Sequence, residues 1–173
     1  MINLNNGHTA HSPGAVWGKR TEYWDSRRLI SAVAEGLRGL PVKITEGEGG
    51  AGTDELLFIF HRSTSEKNSP KTGAGLFVPA DASADTQLRA FRLLSSLCDG
   101  SGLRYRGVHT ATAECPFGIL RRPGDRQVFL IKAGFIDSDA DNERWDNSLH
   151  GTADALSQEI MRIYKEKINE NYS

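Results

Sequence analysis

The chain has 173 residues, 38% of them hydrophobic and 25% charged, which is the balance and size of one ordinary globular domain with a sizeable core. A formal net charge of −1 excludes the basic excess of a nucleic-acid binder, so Arg104 and Arg106, and Arg121, Arg122 and Arg126, read as solvated faces. No run approaches the ~20 apolar residues of a membrane span. Met1-Ile2-Asn3-Leu4 has neither the basic nor the apolar segment of a secretory leader, so cytoplasmic synthesis is expected.

Ile2 to Leu4 reads as a short strand followed by an Asn-Asn-Gly-His loop. Thr21 to Leu37 reads as a helix capped by Thr21, with Ile30, Val33, Leu37 and Leu40 on one apolar face. Gly39 and Pro41 end it, and Val42 to Thr45 is the next strand. Glu46 to Thr53 is a glycine-rich loop with no following Lys-Ser/Thr, hence not a phosphate loop. Leu56 to Phe60 has five consecutive apolar residues, as in a strand buried on both faces.

Arg62 to Thr72 reads as an exposed loop and Gly75 to Val78 as a short strand. Asp85 to Leu97 is a second helix, with Leu88, Phe91, Leu94 and Leu97 spaced for burial. Val128 to Ile131 is another apolar strand, and Leu149 to Ile168 a final helix with Leu149, Ala153, Leu156, Ile160 and Ile163 on one stripe. Cys98 and Cys115 lack a CxxC spacing and read as buried thiols. Strands alternating with helices predict an α/β domain, with a central, mostly parallel, twisted sheet flanked by helices (phosphorylase/hydrolase-like).

Three polar residues follow strands: His8 after the first, His61 after Leu56–Phe60, and Lys132 after Val128–Ile131. In open α/β sheets ligands gather beyond the carboxyl ends of the strands, so parallel neighbours would aim all three at one crevice. Glu22, at the start of the intervening helix, is a carboxylate within the same reach. Two imidazoles and one carboxylate, with a fourth position for water, form a catalytic zinc set. The three are far apart in sequence, and no HExxH helix links them.

The stretch Ile2-Asn3-Leu4-Asn5-Asn6-Gly7-His8, followed by Pro13-Gly14-Ala15-Val16, resembles the opening of the zinc-dependent N-acetylmuramoyl-L-alanine amidases of the amidase-3 family. Phe58-Ile59-Phe60-His61 is similar to that family's Ser-Ile-His strand end, and Arg106-Gly107 to its Arg-Gly pair. Phe117–Arg121, Leu130–Ile136 and the acidic turn Asp139–Asp141 follow in the family's order, so the resemblance covers nearly the whole chain. It implies one amidase-like catalytic domain over 1–173, a zinc ion on His8, Glu22 and His61, and hydrolysis of the amide between N-acetylmuramic acid and L-alanine in peptidoglycan. A bare unit of this kind, with no wall-anchoring domain and no leader, suits an endolysin that acts on the cell wall after release.

The position matched by Lys132 is a catalytic Glu in that family. An unperturbed lysine has a pKa near 10.4 and cannot accept a proton at neutral pH. Two repairs are open: burial lowers the Lys132 pKa, or Lys132 steadies an oxyanion while Glu114, the nearest carboxylate in the later blocks, moves the proton. Otherwise the chain is a slow enzyme, or an inactive zinc-containing module that binds peptidoglycan. Arg106, His109 and Ser63 are the candidate substrate contacts. His11, His150 and Glu114 read as surface residues, and Trp24 as a core residue. The partner expected is a muropeptide, with no nucleic acid and no membrane.

Overall fold

Leu56–Phe60, the most apolar run in the sequence, is buried on both faces near the centre of a six-stranded sheet. The computed structural model describes residues 1–47 and 56–170. In chain order these form β1 (Ile2–Asn6), β2 (Val16–Trp17), β3 (Arg20–Thr21), α1 (Glu22–Gly36), β4 (Val42–Glu46), β5 (Leu56–Ser63), β6 (Ala74–Val78), α2 (Ala84–Ser101), β7 (Tyr105–Thr110), α3 (Gly118–Arg121), β8 (Gln127–Phe135) and α4 (Asp139–Glu170). The sheet order is β4-β1-β5-β8-β6-β7, and β2 and β3 make a separate small ribbon. Every neighbouring pair in the sheet is parallel except β6 and β8, so the mostly parallel α/β expectation holds.

The reversal at β6 decides where the helices lie. Helix α1 carries the chain from β1 outward to β4, and α2 carries it from β6 to β7 in the opposite lateral direction. Strand direction and step direction reverse together, so the right-handed crossover rule puts both helices on one face. There Leu29, Ile30 and Val33 of α1 and Leu93, Leu94 and Leu97 of α2 share the main core with Leu156, Ile160 and Ile163 of α4. The other face, with Leu57, Ile59, Val128 and Leu130, is covered by Ala111, Cys115 and Leu120 around the short α3.

Several elements depart from the sequence expectation for identifiable reasons. Leu88 and Phe91 are 54% and 53% exposed. Steps of three residues drift by about 60° each, so Leu88 lies half a turn from Leu97; the buried stripe is Ala90, Leu93, Leu94 and Leu97. Trp24 is 57% exposed rather than in the core, its ring set edge-on to Tyr23. Helix α4 begins ten residues before Leu149, at Asp139. Ser138 Oγ accepts from the Asp141 N–H at 3.3 Å, and Asp139 and Asp141 suit the positive end of the helix.

Strand β7 was not expected, because its Arg, Gly and His residues break any apolar pattern; it is one of the two edge strands of the sheet. Cys98 and Cys115 are buried and free, and burial pushes the Cys98 thiol up to about 11. Most of the glycine-rich loop lies outside the described residues. No described helix is long and apolar enough to cross a membrane.

Candidate metal centre

β1, β5 and β8 are parallel neighbours, so the residues that leave their carboxyl ends meet at one end of the sheet. His61 and Lys132 do not follow their strands but lie inside them, as direct register partners. What the sequence marks as a strand end is the point where the apolar interior gives way to polar groups.

Three side chains converge there. Glu22 Oε1 lies 2.8 Å from His61 Nδ1, Glu22 Oε2 lies 3.1 Å from His8 Nε2, and the two imidazole nitrogens are 3.1 Å apart. Each ligand atom lies within 4.8 Å of the others. Glu22 and His61 are buried and His8 is partly open, with 21% of its side chain exposed, so the cluster has one accessible side.

Local structure sets each of the three. Thr21 caps α1 by accepting from the Trp24 N–H at 3.2 Å, which makes Glu22 the first helical residue. Glu22 accepts from two backbone donors, Arg62 N–H at 2.9 Å and Ala15 N–H at 3.2 Å. Asn6 accepts from the His8 N–H and donates to Tyr23 O, tying the histidine loop to α1. Two glycines are required for lack of space. A Cβ on Gly7 would stand 1.9 Å from His61 Nε2, and one on Gly14 (φ +72°) would stand 2.5 Å from His8 Nε2.

The electrostatics suit a bound cation. Burial alone would raise the Glu22 pKa, but hydrogen bonds and charge from His61 and His8 outweigh it and hold the carboxyl well below its usual range. Burial lowers the His61 pKa against the opposing pull of Glu22, favouring the neutral imidazole that ligates metals. The donor set is therefore two imidazoles and one carboxylate, which fits zinc.

Sequence reasoning missed Arg62. Read as the start of an exposed loop, it is instead fully buried beside His61. Its guanidinium donates to Asp25 Oδ2 at 2.5 Å, Asn142 Oδ1 at 2.8 Å, Phe135 O at 3.0 Å and Gly134 O at 3.3 Å, and it lies 4.5 Å from the centre of the Trp145 ring. Arg20 also bonds Asp25, and reaches Asp146. This network joins β5, α1, β8 and α4 behind the cluster. The available signal was an arginine one step beyond a strand buried on both faces.

No family model matches the sequence, and no curated protein matches it. Solved structures do. An N-acetylmuramoyl-L-alanine amidase from Clostridium difficile 630 is 14% identical, with 96% of this chain and 97% of that one covered, at a TM-score of 0.78. The amidase AmiC2 of Nostoc punctiforme is 14% identical over 95% and 96% of the two chains, at 0.74. The catalytic domain of the CD27L endolysin targeting Clostridium difficile is 16% identical over 93% and 96%, at 0.68. The chain has their fold. The resemblance read from its motifs and the architecture of its sheet thus agree.

The other expected site residues surround the cluster. Lys132 is half-buried, its Nζ 3.4 Å from Arg62 O and 4.8 Å from the Phe117 ring centre. Burial lowers its pKa, partly offset by Glu22 and Cys115. Ser63, Arg106, His109 and Lys132 line one cleft beyond Lys132. Glu114 is exposed and lines neither the cleft at His61 nor the cleft at Lys132. His11 and His150 are exposed, as expected.

Proposed function

We propose that this chain is a zinc-dependent N-acetylmuramoyl-L-alanine amidase domain that hydrolyses the amide between N-acetylmuramic acid and L-alanine in peptidoglycan. The carrying observation is the approach of His8, Glu22 and His61 to within 2.8–3.1 Å of one another at the carboxyl ends of the central strands of an amidase-type sheet. These three residues would hold the ion. Zinc there would supply a Lewis acid for the scissile carbonyl.

The chain's own groups do the rest. Glu22 stays ionised and brings one negative charge to the donor set. Ser63, Arg106 and His109 border the cleft in which a muropeptide would lie. Lys132 occupies the position where the family has its proton-transferring Glu. Burial lowers its pKa, yet the protonated lysine cannot accept a proton, whereas a carboxylate at neutral pH can. Slow turnover is the expected consequence.

That same residue favours a second reading, an inactive module that keeps the zinc and holds peptidoglycan. Zymography on purified wall separates the two. The amidase reading predicts slow clearing that a chelator abolishes, zinc restores and His61→Ala lacks. Co-sedimentation with wall and no clearing at any time would support the binder. Clearing insensitive to chelator would contradict both.

A further inference from the structure

The cleft beyond Lys132 has a chemistry of its own. In register, His61 stands beside Lys132, and Lys132 beside Gly75 of β6, so a line of residues crosses three strands away from the metal cluster. Gly75 leaves a flat floor. A Cβ there would meet only Gly107 O at 3.6 Å and Arg106 Cβ at 3.9 Å, which is ordinary contact. Around this floor stand Lys132, Arg106, His109 and Lys71, and no Asp or Glu lines the cleft among the described residues.

Of the two lysines and the arginine here, only one has a carboxylate partner. Lys71 is paired with Glu66 at 2.7 Å. Among the described residues no carboxylate lies within ion-pair distance of Arg106 or Lys132. Arg106 Nη1 donates to Thr72 O at 3.2 Å, and its guanidinium lies 5.3 Å from the Phe135 ring centre. Stacking on an aromatic ring fixes the plane of a guanidinium and leaves its N–H edge for an acceptor. A planar fork held in this way matches the two oxygens of a carboxylate.

We propose that this cleft is a carboxylate subsite, taking a free carboxylate of the peptide whose muramoyl amide lies over the metal cluster. The choice of a carboxylate among oxyanions rests on the peptidoglycan reading. The position of Lys132 then has a second meaning: it adds a cation to the subsite where the family has an acid.

The test is a binding titration of the zinc-loaded full chain with L-alanyl-D-glutamate and with its bis-carboxamide at low salt, followed by amide chemical shifts. Neither probe contains a muramoyl amide to cleave. The dicarboxylate should bind about tenfold more tightly than the bis-carboxamide, as loss of a charge-assisted hydrogen bond implies. It should shift the Gly75, Phe77 and His109 signals. Arg106→Gln should reduce the preference to under about threefold, with the melting temperature and zinc content of the parent. Gly75→Leu, which fills the floor without removing a charge, should weaken the dicarboxylate in the same way.

Equal affinity for the two dipeptides would overturn the proposal. So would a preference that survives Arg106→Gln, since the metal would then be the acceptor site. Tighter binding of glycerol 3-phosphate than of the dicarboxylate would overturn the carboxylate assignment. Wall clearing is read separately, so a protein that clears wall without discriminating the dipeptides loses this subsite and keeps its zinc function. A protein that discriminates them without clearing wall keeps the subsite alone.

Discussion

Position 132 is where one side chain changes the chemistry most. Its ammonium is half-buried between Phe117 and the Arg62 carbonyl, in register with a metal-ligating candidate. Lys132→Glu would place a proton acceptor beside the cluster and remove one cation from the adjoining cleft. The expected result is a kcat higher by about 10²–10⁴ with a higher KM, measured as stem-peptide release from purified wall. Equal or lower kcat in a variant that keeps its zinc would refute the role given to this position. His8, Glu22 and His61 were legible because each sits at a polarity change at the end of an apolar run or the start of a helix. Gly7 and Gly14 were visible as motif letters, but the reason for them, imidazole rings within a Cβ radius, exists only in three dimensions. Trp24 failed in the other direction, because apolar character alone does not say which side of a helix N-terminus faces solvent.

Among the elements, α2 and α4 are joined by both packing and charge. Arg92 bonds Glu166 at 2.8 Å and Glu159 at 2.7 Å, while Arg89 reaches Glu166 at 3.2 Å and pairs with Glu170. Burial alone would raise the Glu166 pKa, but hydrogen bonds from Arg92 and Arg89 outweigh it and lower it. A carboxyl whose folded pKa lies below its unfolded value adds stability above the unfolded value, near 4.5, and loses it as pH falls through the folded one. Glu166→Gln should therefore lower the melting temperature most at pH 6–7, and the difference from the parent should shrink below about pH 4.5. A gap independent of pH would mean that the carboxylate charge is not what joins the helices. This clamp was hidden in sequence because its partners lie between 67 and 81 residues apart. The same distance hid the Arg62 network, whereas the Thr21 cap, a contact over three residues, was read correctly.

For the whole molecule, alternation of apolar runs was enough to predict a mostly parallel α/β sheet, because buried parallel strands leave a strong signature. It could not reveal the reversed β6, since strand direction is not written in hydropathy. The edge strand β7 escaped for a related reason: with only one neighbour and little burial, it needs no apolar pattern. The candidate centre depends on the assembled fold, because its three donors come from the loop after β1, the first residue of α1 and the interior of β5. An ion bound by all three ties those segments together and stabilises the folded state. The most direct test is the zinc content of the purified, dialysed chain by elemental analysis, with His61→Ala measured beside it. One zinc per chain, lost in the variant, is the predicted result. A parent chain without zinc, or a variant that retains it, would contradict the metal centre.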